Sequence, residues 1–201
     1  MSQDTITSNQ ISQGTQQQRK RVVLLYSGGV DTSISVKLLQ EKYNVDVITC
    51  TVNLGQREYD FEERKAKALR LGAVDHVIVD CREEFANHFV LRALQANALY
   101  DGMYPVSTSL SRPLIAKKAI EVARMKNANA IAHGCKGRGA DAFRFNMVFN
   151  FLASDLDMIL PIHDWSPSRD EEVAYALEHD IPISVSQDEP YSYDDNMWGN
   201  A

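Results

Sequence analysis

The chain has 201 residues, of which 44% are hydrophobic and 24% are charged, and its formal net charge is −6. This composition is typical of a globular protein that can bury a full core without disulfides or metals. The acidic balance argues against a nucleic-acid partner, because a large nucleic-acid surface would be basic, but a local site can still bind a small anion. No apolar run approaches the roughly 20 residues that a membrane span requires, so no membrane association is expected.

The N-terminal segment, residues 1–20, is polar and rich in Ser, Thr and Gln. Such a segment cannot bury enough apolar surface to become ordered, and it lacks the apolar stretch of a secretory signal. We therefore predict a disordered polar tail. The three cysteines, Cys50, Cys81 and Cys135, form no C-x-x-C pair. Their scatter indicates reduced thiols and a cytoplasmic location.

After the tail, apolar runs alternate with segments of helical periodicity. The stretch 101–113, "DGMYPVSTSLSRP", is predicted to be a loop, and the charged run "EERKAK" is interpreted as a solvated helix face. Strands are predicted at 22–26, 45–52, 74–80, 128–134 and 157–162. Helices are predicted at 31–43, 60–72, 82–100 (with one possible break), 114–127, from about 141, and at 168–180.

This alternation predicts an α/β fold of right-handed βαβ units, with an open parallel sheet and helices on both faces, as in Rossmann-like proteins. Ligands of such sheets bind at the carboxyl ends of the strands, near a switch in strand order. Three motifs follow strands: "YSGGVDTS" the first, "VNLGQ" the second and "HGCKGRGAD" the fourth. They are therefore expected to lie at one edge of the sheet.

The motif "YSGGVDTS" has the residues of an anion cradle. Its two glycines allow a sharp turn and a close approach of ligand to backbone, and the acid and hydroxyls fall where they could cap the next helix. Exposed N–H groups and the helix dipole favour phosphate there. The Walker lysine and the G-x-G-x-x-G spacing are missing. A capped strand-to-helix turn is the alternative, but the pattern after a buried strand favours phosphate binding. The predicted cradle comprises Tyr26, Ser27, Gly28, Gly29, Asp31, Thr32 and Ser33.

The same motif resembles the ATP-pyrophosphatase loop of the adenine-nucleotide α-hydrolase-like superfamily, which has a HUP-type fold. Together with "VNLGQREYDFEERKAKALRLGA", "YPVSTSLSRPLIAKKAIEVA", "AHGCKGRGADAFRF" and "PYSYDDNMWG", in this order, it resembles the argininosuccinate synthase family from residue 21 nearly to the end. The resemblance implies an ATP-dependent, AMP-forming C–N ligase of arginine biosynthesis. Citrulline would be activated at its ureido oxygen as an adenylate, with release of pyrophosphate, and aspartate would attack it. ATP, Mg²⁺ and small amino-acid substrates are implied.

The resemblance also implies roles for single residues, although no side chain is assigned as catalytic and none as a metal ligand. For the nucleotide, it implies phosphate contacts from the cradle, an adenine contact from the backbone of Val52, and further contacts from His133 and Gly134. For citrulline, it implies Tyr104, Ser109, Arg144 and Ser192, and for aspartate Thr108 and Asp141. An arginine is a suitable fork for a carboxylate and an aspartate a suitable partner for an ammonium group.

Five positions depart from the family pattern, in which the second motif usually reads H-G-[AC]-T-G-K-G-N-D-Q-x-R-F. Each lost hydrogen bond to a buried polar group of a ligand costs about 1–3 kcal/mol. We therefore expect altered or lost specificity for citrulline and aspartate. The departures are Lys136 for threonine, Arg138 for lysine, Ala140 for asparagine, Ala142 for glutamine, and Ala201 for the serine that ends the last motif.

Members of the family are much longer than this chain. Residues 21–201 are thus expected to form the ATP-pyrophosphatase nucleotide-binding domain, without the synthetase and oligomerisation domain. A homo-oligomer or a complementing chain would then complete the amino-acid site. Two alternatives remain open: a short adenylating enzyme with another acceptor in a specialised pathway, and a non-catalytic ATP-binding remnant.

Overall fold

The structure is a computed structural model that describes residues 19–56, 60–137, 139–182 and 195–200. Residues 1–18 of the predicted tail lie outside this part of the chain. So do Arg138, Ser192 and Ala201, so their expected roles stay predictions.

Strands and helices alternate along the described chain. The strands are β1 (Arg21–Leu25), β2 (Asp46–Asn53), β3 (Asp75–Asp80), β4 (Ala130–Ala132), β5 (Asp157–Ile159), β6 (Asp195–Asn196) and β7 (Gly199–Asn200). The helices are α1 (Val30–Tyr43), α2 (Phe61–Arg70), α3 (Arg82–Phe85), α4 (Leu91–Gln95), α5 (Ser107–Met125), α6 (Ala140–Leu152), α7 (Pro161–Trp165) and α8 (Arg169–Glu178), with a π-helical turn at Ala86–Val90 between α3 and α4.

The first five strands form one parallel sheet in the order β3-β2-β1-β4-β5, which confirms the predicted α/β fold. The central strand β1 pairs on one side with β2, where Val23 is level with Ile48, and on the other with β4, where Val23 is level with Ile131. The chain first extends the sheet to one side and then returns to the opposite side of β1. The strand order therefore reverses between β1 and β4, where ligands bind in such sheets.

Alternate residues of β1 enter two cores, one on each face of the sheet. Val22 and Leu24 pack with α1 on one face, whereas Val23 and Leu25 belong to the other core, with Leu114 of α5. Both faces are covered by helices, which explains why this strand is apolar at every position from Val22 to Leu25.

Helix α5 begins at Ser107, so the prediction of a loop over 101–113 is wrong for its second half. The stretch is polar and contains Pro113, which cannot donate a backbone hydrogen bond inside a helix. Burial of Ser107, Ser111 and Leu114 nevertheless holds this part helical, because tertiary packing overrides local propensity.

The segment 157–162, predicted as one strand, is also divided. Strand β5 ends at Ile159, and Pro161 occupies the first turn of α7, where the missing N–H of a proline costs nothing. The helix predicted over 82–100 runs without a break through a π-helical turn and ends at Gln95. Across the described part of the chain, no helix is both long enough and apolar enough to pass through a membrane.

We predict that Leu24→Ala lowers the free energy of unfolding by about 2–5 kcal/mol, because it leaves a cavity beside α1 in a strand that is packed on both faces. Leu24 is 0% exposed. The control Leu94→Ala, at a leucine that is 61% exposed, should change this free energy by less than about 0.5 kcal/mol. Equal losses in chemical denaturation would contradict the assignment of the core.

Candidate functional site

The carboxyl ends of β1 and β4 place two of the motifs side by side, as expected. Strand β1 leads into Ser27 and the two glycines, and β4 leads into His133 and Gly134. A Cβ atom added to Gly134 would lie 3.1 Å from Cγ2 of Thr32 and 3.2 Å from Oγ of Ser35. The turn after β4 therefore rests directly on the first turn of α1.

Hydrogen bonds among its own residues hold the cradle in shape. Gly28 has a φ of 80°, a left-handed conformation that favours glycine, and Gly29 is the N-cap of α1. The amide of Gly29 donates to Oγ of Ser27 at 3.3 Å, and this oxygen lies 3.2 Å from Oγ1 of Thr32. Ser33 is buried, and its hydroxyl lies 3.5 Å from that of Tyr26. Ser27 and Thr32 therefore face the cradle, whereas Ser33 supports it from below.

Among the described residues, no side-chain hydrogen bond caps α1 at its N-cap Gly29, although Asp31, Thr32 and Ser33 were candidates for that role. Thr32 instead donates its hydroxyl to the carbonyl of Gly29 at 3.2 Å. The first amides of α1 therefore lack a side-chain cap, and the start of the helix is suited to bind an anion.

Two basic residues of α2 lie against the cradle, which sequence reasoning missed because it interpreted this run as a solvated face. Nζ of Lys67 donates to the carbonyl of Gly28 at 2.9 Å and to that of Pro182 at 3.3 Å. The side chain of Arg64 covers the point where a Cβ of residue 28 would lie. Burial lowers the pKa of Lys67, with the nearby Arg64 guanidinium acting in the same direction. The signal in the sequence was the i, i+3 spacing of two cations on the helix that follows β2.

We predict that Gly28→Ala destabilises the domain more than Gly102→Ala does. Both glycines have a left-handed φ, of 80° and 70°, so alanine pays about 1–3 kcal/mol of backbone strain at either site. Of the two, only residue 28 brings the new Cβ against a side chain, since no atom of the described residues lies within 4 Å at residue 102. Chemical denaturation measures the difference. It should vanish in an Arg64→Ala background, and its persistence there would contradict this packing.

His133, expected to contact the nucleotide, has a buried side chain that is 1% exposed. The amide of Cys135 donates to its Nδ1 at 3.2 Å, which leaves Nε2 protonated to donate to Oδ1 of Asn146 at 2.8 Å. The ring also lies against Phe145 and Phe149. The imidazole therefore shapes the turn after β4, and contact with a ligand would come from the backbone of this residue.

We predict that part of the stability is lost in mild acid because of His133. Burial lowers the pKa of its imidazole below the ordinary value of 6.5. The unfolded chain then binds more protons than the folded one between the lowered pKa and 6.5, so stability is full above this range and falls as the pH falls through it. The free energy of unfolding should thus decrease less between pH 7.5 and 5.5 in His133→Gln. Identical pH dependences would contradict the role of burial.

The residues matched to the amino-acid substrates bond mostly to one another. The hydroxyl of Tyr104 lies 3.2 Å from Oγ of Ser107 and 3.1 Å from Oγ1 of Thr108. On α6, Asp141 accepts hydrogen bonds from Arg144 at 3.0 Å and from Arg112 at 2.8 Å. The expected carboxylate fork and ammonium partner are thus paired with each other.

Ser109 lies half-buried in the first turn of α5, near Tyr104 along the chain, whereas Val52 is buried near the end of β2. The carbonyl of Val52 accepts a hydrogen bond from Gln56 at 2.9 Å. The guanidinium group of Arg144 and the carbonyl of Val52 therefore both have hydrogen-bond partners within the protein. A ligand would have to replace these partners or bind beside them.

Lys136, one of the departures from the family pattern, lies in the turn after β4. Its Nζ is 2.6 Å from Oε1 of Glu172 in α8 and 3.9 Å from Oδ1 of Asp31. Glu172 is fully buried, and Arg169 pairs with its other oxygen at 3.3 Å. Burial raises the pKa of the Asp31 carboxyl. The nearby positive charge of Lys136 acts in the opposite direction, and the negative charge of Glu172 acts in the same direction as burial. Sequence reasoning missed Glu172, because nothing in a surface-like acidic run signals a buried carboxylate.

The other departures that the structure describes differ in their surroundings. Ala142 is buried, whereas Ala140 is exposed at the start of α6. Gly137, which matches the family pattern, lies against the ring of His163. This ring fills the space that a side chain at residue 137 would need.

A parallel sheet with helices on both faces, whose strand order reverses beside a glycine-rich turn at the start of a helix, is an α/β fold of the Rossmann-like class. Residues 21–182 match the family model of the arginosuccinate synthase N-terminal HUP domain. The chain belongs to the argininosuccinate synthase family.

Curated relatives support this assignment. Argininosuccinate synthase of Bacillus licheniformis is 50% identical over 184 residues, which are 92% of this chain and 45% of the relative. That of Geobacillus thermodenitrificans is 50% identical over 181 residues, or 90% and 44%, and that of Dictyoglomus turgidum is 47% identical over 184 residues, or 92% and 46%. The chain thus spans a little less than half the length of the curated relatives that it matches.

Proposed function

We propose that this domain binds ATP at the carboxyl edge of the sheet and serves an AMP-forming ligase reaction of arginine biosynthesis. In that reaction the ureido oxygen of citrulline attacks the α-phosphorus of ATP, and pyrophosphate leaves. The amine of aspartate then displaces AMP to give argininosuccinate. The observation that carries the proposal is the uncapped start of α1 behind Ser27-Gly28-Gly29, placed at the strand-order reversal of a chain from this family.

The nucleotide would bind across the turn after β1 and the turn after β4. The amides of the first turn of α1 and the hydroxyls of Ser27 and Thr32 would bind the phosphates, while Lys67 holds the carbonyl of Gly28 in place. The backbone near Val52 would contact adenine, and Gly134 would let the second turn approach the ligand. Such a site lowers the barrier by positioning the reactants and neutralising charge, and it needs no protein nucleophile.

Mg²⁺ would enter with ATP. Within the described residues, no group of three or more His, Cys, Asp or Glu side chains could hold a metal ion. The phosphates would therefore provide most of its ligands. The carboxylate of Asp31, beside the cradle, has the oxygen chemistry that Mg²⁺ prefers.

The amino acids would bind next to the cradle, between the start of α5 and α6. Arg144 can turn from Asp141 to the carboxylate of citrulline, because Asp141 keeps its bond with Arg112. The hydroxyls of Tyr104 and Thr108 would contact the polar ends of the substrates, with Ser109 and Ser192 as further contacts. A homo-oligomer or a complementing chain would complete this half of the site, and we place the protein in the cytoplasm.

A second candidate, an adenylating enzyme with another acceptor, is favoured by Lys136. Its ammonium group stands beside the nucleotide site, where the family pattern has an uncharged threonine. A cation at this point would favour an acceptor with an additional anionic group over the usual pair of amino acids.

We predict pyrophosphate release from Mg-ATP in the presence of citrulline and aspartate, with AMP and argininosuccinate formed in equal amounts. A pyrophosphate assay with a panel of amino acids measures it, and the control Thr32→Val should weaken ATP binding and turnover together. Release only with another amino acid would support the second candidate. Binding of ATP without release for any member of the panel would support a non-catalytic nucleotide-binding protein, and absence of ATP binding would overturn the proposal.

A further inference from the structure

The turn after β4 brings a lysine ammonium group to the mouth of the cradle. Gly134 packs against Thr32, and two residues later the Nζ of Lys136 lies 3.9 Å from the carboxylate of Asp31 in the first turn of α1. The side chain of Lys136 is 53% exposed, so a ligand can reach it although its ammonium group contacts the protein.

A buried carboxylate lies in ion-pair contact with this ammonium group, without the alignment of a hydrogen bond. Glu172 is 0% exposed, and a buried carboxylate is costly unless cations pair with it. Nζ of Lys136 lies 2.6 Å from one of its oxygens, and Arg169 lies 3.3 Å from the other. The position of Lys136 therefore depends on α8, whose Glu172 also acts electrostatically on Asp31 of the cradle.

Positive charge then borders the cradle from two directions. On the side of Gly28 stand Arg64 and Lys67 of α2, and the ammonium group of Lys67 is occupied by two backbone carbonyls. On the side of Asp31 stands Lys136. A polyphosphate at the start of α1 needs cations within hydrogen-bond reach, and this cradle has no Walker lysine.

We propose that Lys136 is a phosphate-binding residue of the nucleotide site, held in place by Glu172. This inference rests on the proposed binding of ATP. From the turn after β4, Lys136 places a positive charge beside the phosphates, where the family pattern has an uncharged side chain. Glu172 holds this charge in position when no ligand is bound. Lys136 makes no covalent bond with the substrate.

The test compares the affinity for Mg-ATP with that for adenosine, which lacks phosphates, by titration calorimetry and competition. Lys136→Met should weaken Mg-ATP binding about tenfold or more, the value of one charge-assisted hydrogen bond, and leave adenosine binding within about twofold. Lys136→Arg should retain most of the affinity for Mg-ATP. The matched control is Lys126→Met, which removes a lysine paired with Asp75 at 2.8 Å at the opposite edge of the sheet.

Because Lys136→Met leaves Glu172 with one cation fewer, the double variant Lys136→Met/Glu172→Gln removes both charges together and should show the same selective loss. Unchanged affinity for Mg-ATP in either variant overturns the inference, and so does an equal loss for Mg-ATP and adenosine, which would mean a purely structural ion pair. Failure of the unmodified protein to bind Mg-ATP would instead refute the proposed function itself.

Discussion

The pairing of β1 with a parallel strand on each side sets the geometry on which the rest of the site depends. The chain leaves β1 toward α1, whereas the chain that leaves β4 belongs to the other half of the sheet. In sheets of this strand order, ligands bind in the crevice between these two exits. Gly28 allows the sharp turn at the end of β1, and Gly134 allows the neighbouring turn to approach α1. The cradle is thus a consequence of strand order as much as of its own residues.

Electrostatics links this crevice to helices that are distant in the sequence. Lys67 reaches from α2 to the carbonyl of Gly28, and Lys136 connects Asp31 with the buried Glu172 of α8. An anion bound at the start of α1 would therefore interact with charges from three segments of the chain. The buried carboxylate is of special interest, because its cost is offset only while cations remain beside it.

Local sequence predicted the secondary structure correctly where one signal dominated, and incorrectly where tertiary packing determined the conformation. The alternation of strands and helices predicted the sheet, because burial on both faces leaves an unmistakable apolar run in β1. It failed at the start of α5, where polar residues and Pro113 indicate a loop but three buried positions favour a helix. His133 shows another limit of local sequence: it follows β4 as predicted, but its imidazole is buried and bonded to Asn146, so its contact with the nucleotide stays a prediction.

By itself, the sequence determined the class of fold, the family, and the glycine-rich turn between β1 and α1, because these depend on periodicity and on residues that are neighbours in the chain. Only the tertiary structure decided which cations border that cradle. Lys67 and Gly28 are 39 residues apart, and no periodic pattern connects them. The same holds for Lys136 and Glu172, whose contact exists because the turn after β4 and helix α8 pack at one edge of the sheet. Burial and long-range charge pairing arise from folding in three dimensions, and a linear pattern does not encode them in any single motif.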